Sequence, residues 1–213
     1  MISKFTFDTV KDFDSHISNS IFGYNILHQL IINISSFFMK LDTVPIDLGC
    51  TSGKLLKEIN DTYGCKSIGY DLISTHFVEG VDLRVQDIAA DEFIIPNTNL
   101  IYCIFTLQFL PYSKRLSVLK KVFNALGKNG ALIICEKETC ENGGVQEVFI
   151  FSNYQYKQQA FTDTEILNKE NSLRSIMNPI TTKENVYLLK KAGFKTIEPF
   201  FQSLNFKGYI CIK

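Results

Sequence analysis

Three acids in this chain stand where an apolar run stops, at spacings that suit one nucleoside-binding site. Residues 44–53 read V-P-I-D-L-G-C-T-S-G, an apolar strand running into Asp47 and then a glycine turn. Asp71 closes a second strand-like run over 66–70, eighteen residues after Gly53, and Asp87 closes a third, V-Q-D-I. A strand-end acid about 20 residues past a glycine turn suits ribose hydroxyls, because a carboxylate can accept two hydrogen bonds at once. Asp87 is placed to receive an adenine amino group. The strand ending at Ile46 should aim its turn at the carboxyl edge of a sheet, where open α/β folds hold ligands. Asp47 and Gly49 should then face the pocket, Gly49 at positive φ, while Gly53 lets a helix over 54–63 pack closely. The N–H groups of Thr51 to Gly53 should point at the ligand.

The loop reads D-x-G-x-x-x-G, the D-x-G-x-G-x-G pattern of S-adenosylmethionine (SAM) enzymes with Thr51 in place of the middle glycine. Alone it also suits an ordinary strand-to-helix turn. Asp71 and Asp87 supply the second and third parts of a site. Neither G-x-x-x-x-G-K-[ST] nor G-x-G-x-x-G occurs, which argues against Walker-type and dinucleotide chemistry.

The elements that must position these residues follow from periodicity. Ile17, Ile21, Tyr24, Leu27, Leu30, Ile31 and Ile34 recur at helical spacing, and Gly23 interrupts them. A mid-helix glycine costs about 1 kcal/mol against alanine, so two helices hinged at Gly23 are expected, with Tyr24 laid over the ligand or into the core. Residues 5–12 form an irregular lead-in or short helix, and His16 and His28 are read as ordinary surface or core residues. Residues 72–80 are too few for a crossover helix. Strands follow over 81–88 and 99–105, the latter apolar enough to be buried on both faces. Thr106 and Gln108 should line a pocket at its end. A helix over 113–126 with Ser113 as N-cap, stopped by 127–130, leads to a strand over 130–136. That strand sets Glu136 and Lys137 on the same rim as Asp47 and Asp71. Helices over 145–157 and 163–177 form an insert whose Phe149, Phe151, Tyr154, Tyr156 and Gln158 offer an acceptor surface. Thr181 or Thr182 caps a helix to Ala192, and strands over 197–203 and 206–213 close the chain.

These elements predict an α/β fold, and with the SAM-type loop at 47–53 the expectation is a Rossmann-like class I methyltransferase fold. Its sheet should have seven mostly parallel strands, a terminal antiparallel hairpin and N-terminal helices. A single domain over 1–213 is expected, with a helical cover over 1–40 and a helical insert over 141–180. The 213 residues carry 22 basic and 22 acidic side chains, a balance that disfavours broad nucleic-acid binding. No opening run looks like a leader and no apolar run is long enough to span a bilayer, so a cytoplasmic chain without membrane contact is expected. The six cysteines lack a paired C-x-x-C pattern and read as small buried thiols. Cys50, at a helix N-terminus, is the one with reason for a lowered pKa.

Several blocks together resemble the carboxy-S-adenosyl-L-methionine synthase family of the class I methyltransferases. They are Phe7-Asp8, Gly23-Tyr24, D-L-G-C-T at 47–51, F-T-L-Q-F-L at 105–110, G-A-L at 130–132, Glu136-Lys137, K-A-G-F at 191–194, Phe201-Gln202 and Asn205-Phe206. The resemblance implies SAM contacts from Tyr24, Gly49, Cys50, Thr51, Asp71, Leu72, Asp87 and Ile88, beside Asp47 and Phe105. It also implies a dimer that converts SAM and prephenate into carboxy-SAM for modification of a tRNA wobble uridine. Two departures stand out. Ile104 takes the place of an asparagine, and Glu170 that of the arginine that holds the product carboxylate, a reversal of charge that disfavours a carboxylate product. The first expectation is therefore methyl transfer from SAM to an unidentified small-molecule acceptor, with Glu136 or Glu170 orienting or deprotonating it. The second is carboxy-SAM synthesis with Arg174 as replacement anion partner. The third is SAM binding without catalysis.

Overall fold

The expected apolar runs form the middle of a seven-stranded sheet. The computed structural model describes residues 13–174 and 176–213, so the lead-in over 5–12 and the Phe7-Asp8 block lie outside it. The strands are β1 (Ile46–Leu48), β2 (Ile68–Asp71), β3 (Asp82–Val85), β4 (Thr98–Ile104), β5 (Leu126–Lys137), β6 (Thr196–Ser203) and β7 (Phe206–Ile212). They lie in the order β3-β2-β1-β4-β5-β7-β6, parallel through β5, with β7 antiparallel to β5 and β6. The fold is the expected one.

Period-two alternation in β4 and β5 divides the core between the two faces of the sheet. Leu100, Tyr102, Ala131, Ile133 and Cys135 point to α2 (Tyr24–Ser35) and α3 (Lys54–Tyr63). Ile101, Cys103, Leu132 and Ile134 point to α4 (Tyr112–Ala125) and α7 (Thr182–Ala192). Gly23, at φ +81°, separates α1 (Phe13–Ser18) from α2, as the interrupted pattern predicts. Between β5 and α7 come α5 (Gly143–Lys157) and α6 (Asp163–Arg174). The crossover over 72–80 contains no helix. Thr181 caps α7 reciprocally with Glu184, and Gly193 ends it.

Two boundaries differ from expectation. Pro111, rather than Ser113, is the N-cap of α4, without a side-chain cap bond. The helix also stops before the glycines, because Leu126 pairs with Thr98 and begins β5, so residues 127–130 lie inside an irregular start of that strand. Among the described residues no helix is long and apolar enough to cross a membrane.

Candidate functional site

The turn after β1 is shaped by left-handed backbone and by close contact. Gly49 stands at φ +82°, and a Cβ there would lie 2.3 Å from Thr106 Oγ1, while one on Gly53, at φ +77°, would lie 2.5 Å from Leu83 Cδ1. Glycine is required at both positions for backbone shape and packing. Thr51, where the SAM pattern has a glycine, is also left-handed at φ +50°. Its N–H donates to Asp71 Oδ2 at 2.8 Å, and Ile73 N–H donates to Asp71 Oδ1 at 3.1 Å. The Gly53 N–H goes to Cys50 O at 2.8 Å. The loop amides expected to face a ligand therefore partly serve the loop itself.

A cleft of about 400 Å³ opens at the carboxyl edge of the sheet, on the α2 face. Tyr24, Asp47, Gly49, Cys50, Thr51, Asp71, Leu72, Asp87, Ile88 and Phe105 all line it, as do Thr106 and Gln108. Asp47 lies at its base, 3% exposed, and its Oδ1 has no hydrogen-bond partner among the described residues. Burial, then the charge of Asp71, raises its carboxyl to about 7. Asp71 is half-buried and Asp87 exposed, with Asp87 Oδ1 accepting from Ala89 N–H at 2.8 Å. Phe105 takes a left-handed φ of +56° and stacks edge-on against Phe206.

The opposite side of the cleft is lined by lysines. Lys137 from the end of β5, Lys157 from the end of α5, and Lys169 with Glu170 from α6 converge there. Glu170 Oε1 lies 2.8 Å from Lys157 Nζ, and Oε2 lies 4.0 Å from Lys137 Nζ. Burial works against the charge of Glu170, but Lys137, Lys157 and Arg174 outweigh it and hold its carboxyl below the ordinary range. Lys169 contacts His16 Nε2 and donates to Ser20 Oγ at 3.1 Å. Burial, then the charge of Lys157, pulls Lys169 down to about 7, and burial with the charges of Lys169 and Lys157 pulls His16 to about 4. Three strand spacings of about 4.8 Å separate β2 from β5, so the strand ends that carry Asp71 and Lys137 lie about 14 Å apart across the sheet edge.

No protein-family model matches the chain. It is 32% identical over 219 residues to carboxy-S-adenosyl-L-methionine synthase of Wolinella succinogenes, covering 94% of this chain and 89% of that one. The protein of that name from Actinobacillus pleuropneumoniae serotype 5b is 30% identical over 230 residues, with 100% and 95% covered. The chain belongs to the carboxy-S-adenosyl-L-methionine synthase family. Among solved structures it resembles human N-acetylserotonin methyltransferase in complex with SAM, with a TM-score of 0.56 and 19% identity. It also resembles PigF with SAH, with a TM-score of 0.57 and 17% identity. It covers 55% and 50% of those longer chains, and the likeness is one of fold. Membership of this family makes the chain a SAM-dependent transferase.

Against that family background, several expectations are corrected. Glu136 does not face the cleft. It is 3% exposed, on the α4 face of β5, and its two oxygens accept from Leu107 N–H at 2.9 Å and Gln108 N–H at 2.8 Å. Burial raises it to about 8 against those two donors and the charge of Arg115. Strand alternation, applied to the Glu136-Lys137 pair, would have assigned the cleft to only one of them. Arg174 is exposed and does not line the cleft, so it makes a poor replacement anion partner. Cys50 is not an activated thiol: burial, then Asp47 and Asp71, pushes its pKa up. Of the insert, Lys157, Lys169, Glu170, Leu173, Ile176 and Met177 line the cleft, whereas its aromatics do not. Tyr156 instead donates to Ser18 O at 2.7 Å and packs edge-on against Phe22. His16 and His28, read as ordinary residues, both line the cleft.

Proposed function

We propose that this chain makes carboxy-SAM from SAM and prephenate, holding the two substrates on opposite sides of one cleft. The observation that carries this reading is the division of charge. Asp47, Asp71 and Asp87, against one lysine, Lys54, line the side that would meet the cationic SAM, and Lys137, Lys157 and Lys169, against one acid, Glu170, line the side that would meet a carboxylate.

The residues fit SAM. The orphaned Oδ1 of Asp47 is a buried acceptor in want of a cationic or N–H partner, since leaving such a group unpaired costs about 1–3 kcal/mol. Asp71, already fixed by two backbone amides, keeps lone pairs for the ribose hydroxyls. Tyr24 would cover the ligand from α2, with Leu72 and Ile88 supplying apolar walls for adenine and Asp87 its amino-group acceptor. SAM supplies a sulphonium methyl, and the protein's task is to bring that carbon against the second substrate away from water.

The reversed sign at Glu170 is less of an obstacle than the residue alone implies. Its charge is already compensated by two lysines, and a third lies beside it. A second reading, direct methyl transfer to an unidentified acceptor, draws on Ile104, an apolar side chain on the cleft wall. Mass spectrometry of the purified protein with SAM, with and without prephenate, separates the two. A carboxy-SAM peak that requires prephenate is the expected result. SAM binding without that peak would leave methyl transfer as the reading to pursue.

A further inference from the structure

We propose that Glu170 is a resident carboxylate in a lysine-built anion subsite, and that it limits how tightly this subsite holds the carboxylate of the second substrate. This rests on the reading that the second substrate is an anion seated on the lysine side of the cleft.

Three elements bring cations to one place. Lys137 ends β5 on the α2 face, Lys157 ends α5, and Lys169 precedes Glu170 on α6. A clamp between α5 and α6 would need only the Lys157–Glu170 contact at 2.8 Å. The further approach of Lys137, at 4.0 Å from the other oxygen, gives one carboxylate two cationic neighbours from two different elements. Lysine is a point charge with three donors, so Lys157 retains donor capacity after bonding Glu170. Glu170 is only 8% exposed, yet it borders the cleft, so its charge acts on a ligand through little water. An incoming carboxylate meets Lys137 and Lys157 already sharing one negative charge. The same charge lets the two lysines stay close together before a ligand arrives.

The test uses the full chain saturated with S-adenosylhomocysteine, which lacks the methyl that would react, with prephenate and malonate as carboxylate probes in calorimetry. Glu170→Gln keeps the size and an acceptor oxygen for Lys157 while removing the charge. It should bind both probes at least tenfold more tightly than wild type, with SAM affinity changed less than threefold. Glu170→Ala supplies an independent arm: acetate should raise its melting temperature more than chloride at equal ionic strength, and more than it raises that of wild type. If Glu170→Gln does not fold, the acetate arm decides. Unchanged or weaker probe binding in Glu170→Gln overturns the proposal and leaves Glu170 as a helix clamp, as does an alanine variant indifferent to acetate. Wild-type carboxy-SAM production without tightening in Glu170→Gln rejects the role of Glu170 alone. Tightening of both probes in a protein that forms no carboxy-SAM retains the subsite and rejects prephenate chemistry.

Discussion

Thr51 holds a left-handed backbone at φ +50°, a conformation that costs a non-glycine residue about 1–2 kcal/mol. Its value to the site lies in its N–H, which fixes Asp71, and glycine would supply the same donor. Thr51→Gly should therefore leave SAM affinity within about twofold and raise stability in urea unfolding by about 0.5 kcal/mol, once the added freedom of the unfolded chain is subtracted. Asp47 carries the pH dependence. Its folded pKa, raised to about 7 by burial and Asp71, exceeds the unfolded value, so the stability tied to its neutral form is complete below about pH 4 and lost as pH rises through 7. Cationic SAM favours the ionised form. Calorimetry should therefore show binding about five- to tenfold tighter at pH 8 than at pH 6, a slope that Asp47→Asn should flatten. Asp71→Ala should weaken SAM by at least about 1.5–3 kcal/mol, the cost of a charge-assisted hydrogen bond, since it also frees the Thr51 and Ile73 amides. At this scale the sequence was most legible on the acidic side, where turn glycines and strand-end acids carry their own spacing. Lys157 and Lys169 were not, because nothing local in K-Q-Q or N-K-E-N tells a solvated lysine from one turned inward by tertiary packing.

Elements, rather than single residues, explain why Glu136 and Lys137 part company. Successive side chains of β5 face opposite ways, and Lys137 goes to the cleft while Glu136 pins the short 3-10 helix at Leu107–Phe109. That turn carries Gln108, whose Oε1 in turn accepts from Lys137 N–H at 2.7 Å. The F-T-L-Q-F-L block is thus tied to the end of β5 from both sides. Glu136→Ala would leave two buried amides without acceptors, and a loss of about 2–4 kcal/mol in urea unfolding is expected, with SAM affinity reduced less than by Asp71→Ala. The succession of strands along the chain, the Gly23 break and an α7 cap at Thr181 or Thr182 were readable because periodicity and capping are local. The end of α4 was not: a strand pairing across 28 residues, Thr98 with Leu126, overrode the glycine stop.

For the whole molecule, formal charge is balanced in total and unequal in space. The ends of β1 and β2, with the turn after β3, present acids, and the end of β5 with the α5–α6 insert presents lysines, the ends of β2 and β5 being about 14 Å apart along one sheet edge. A sum over composition hides this division, and only the fold reveals it. It predicts that the two substrates can be lost separately. The most direct measurement is calorimetric titration of prephenate into wild type and Lys137→Met saturated with S-adenosylhomocysteine, which lacks the reacting methyl, with SAM titrated separately into each. Prephenate binding at least tenfold weaker in the variant, with SAM affinity kept within about twofold, is the result this division of the cleft predicts. Prephenate binding unchanged by the loss of Lys137, or SAM and prephenate weakened alike, would contradict it.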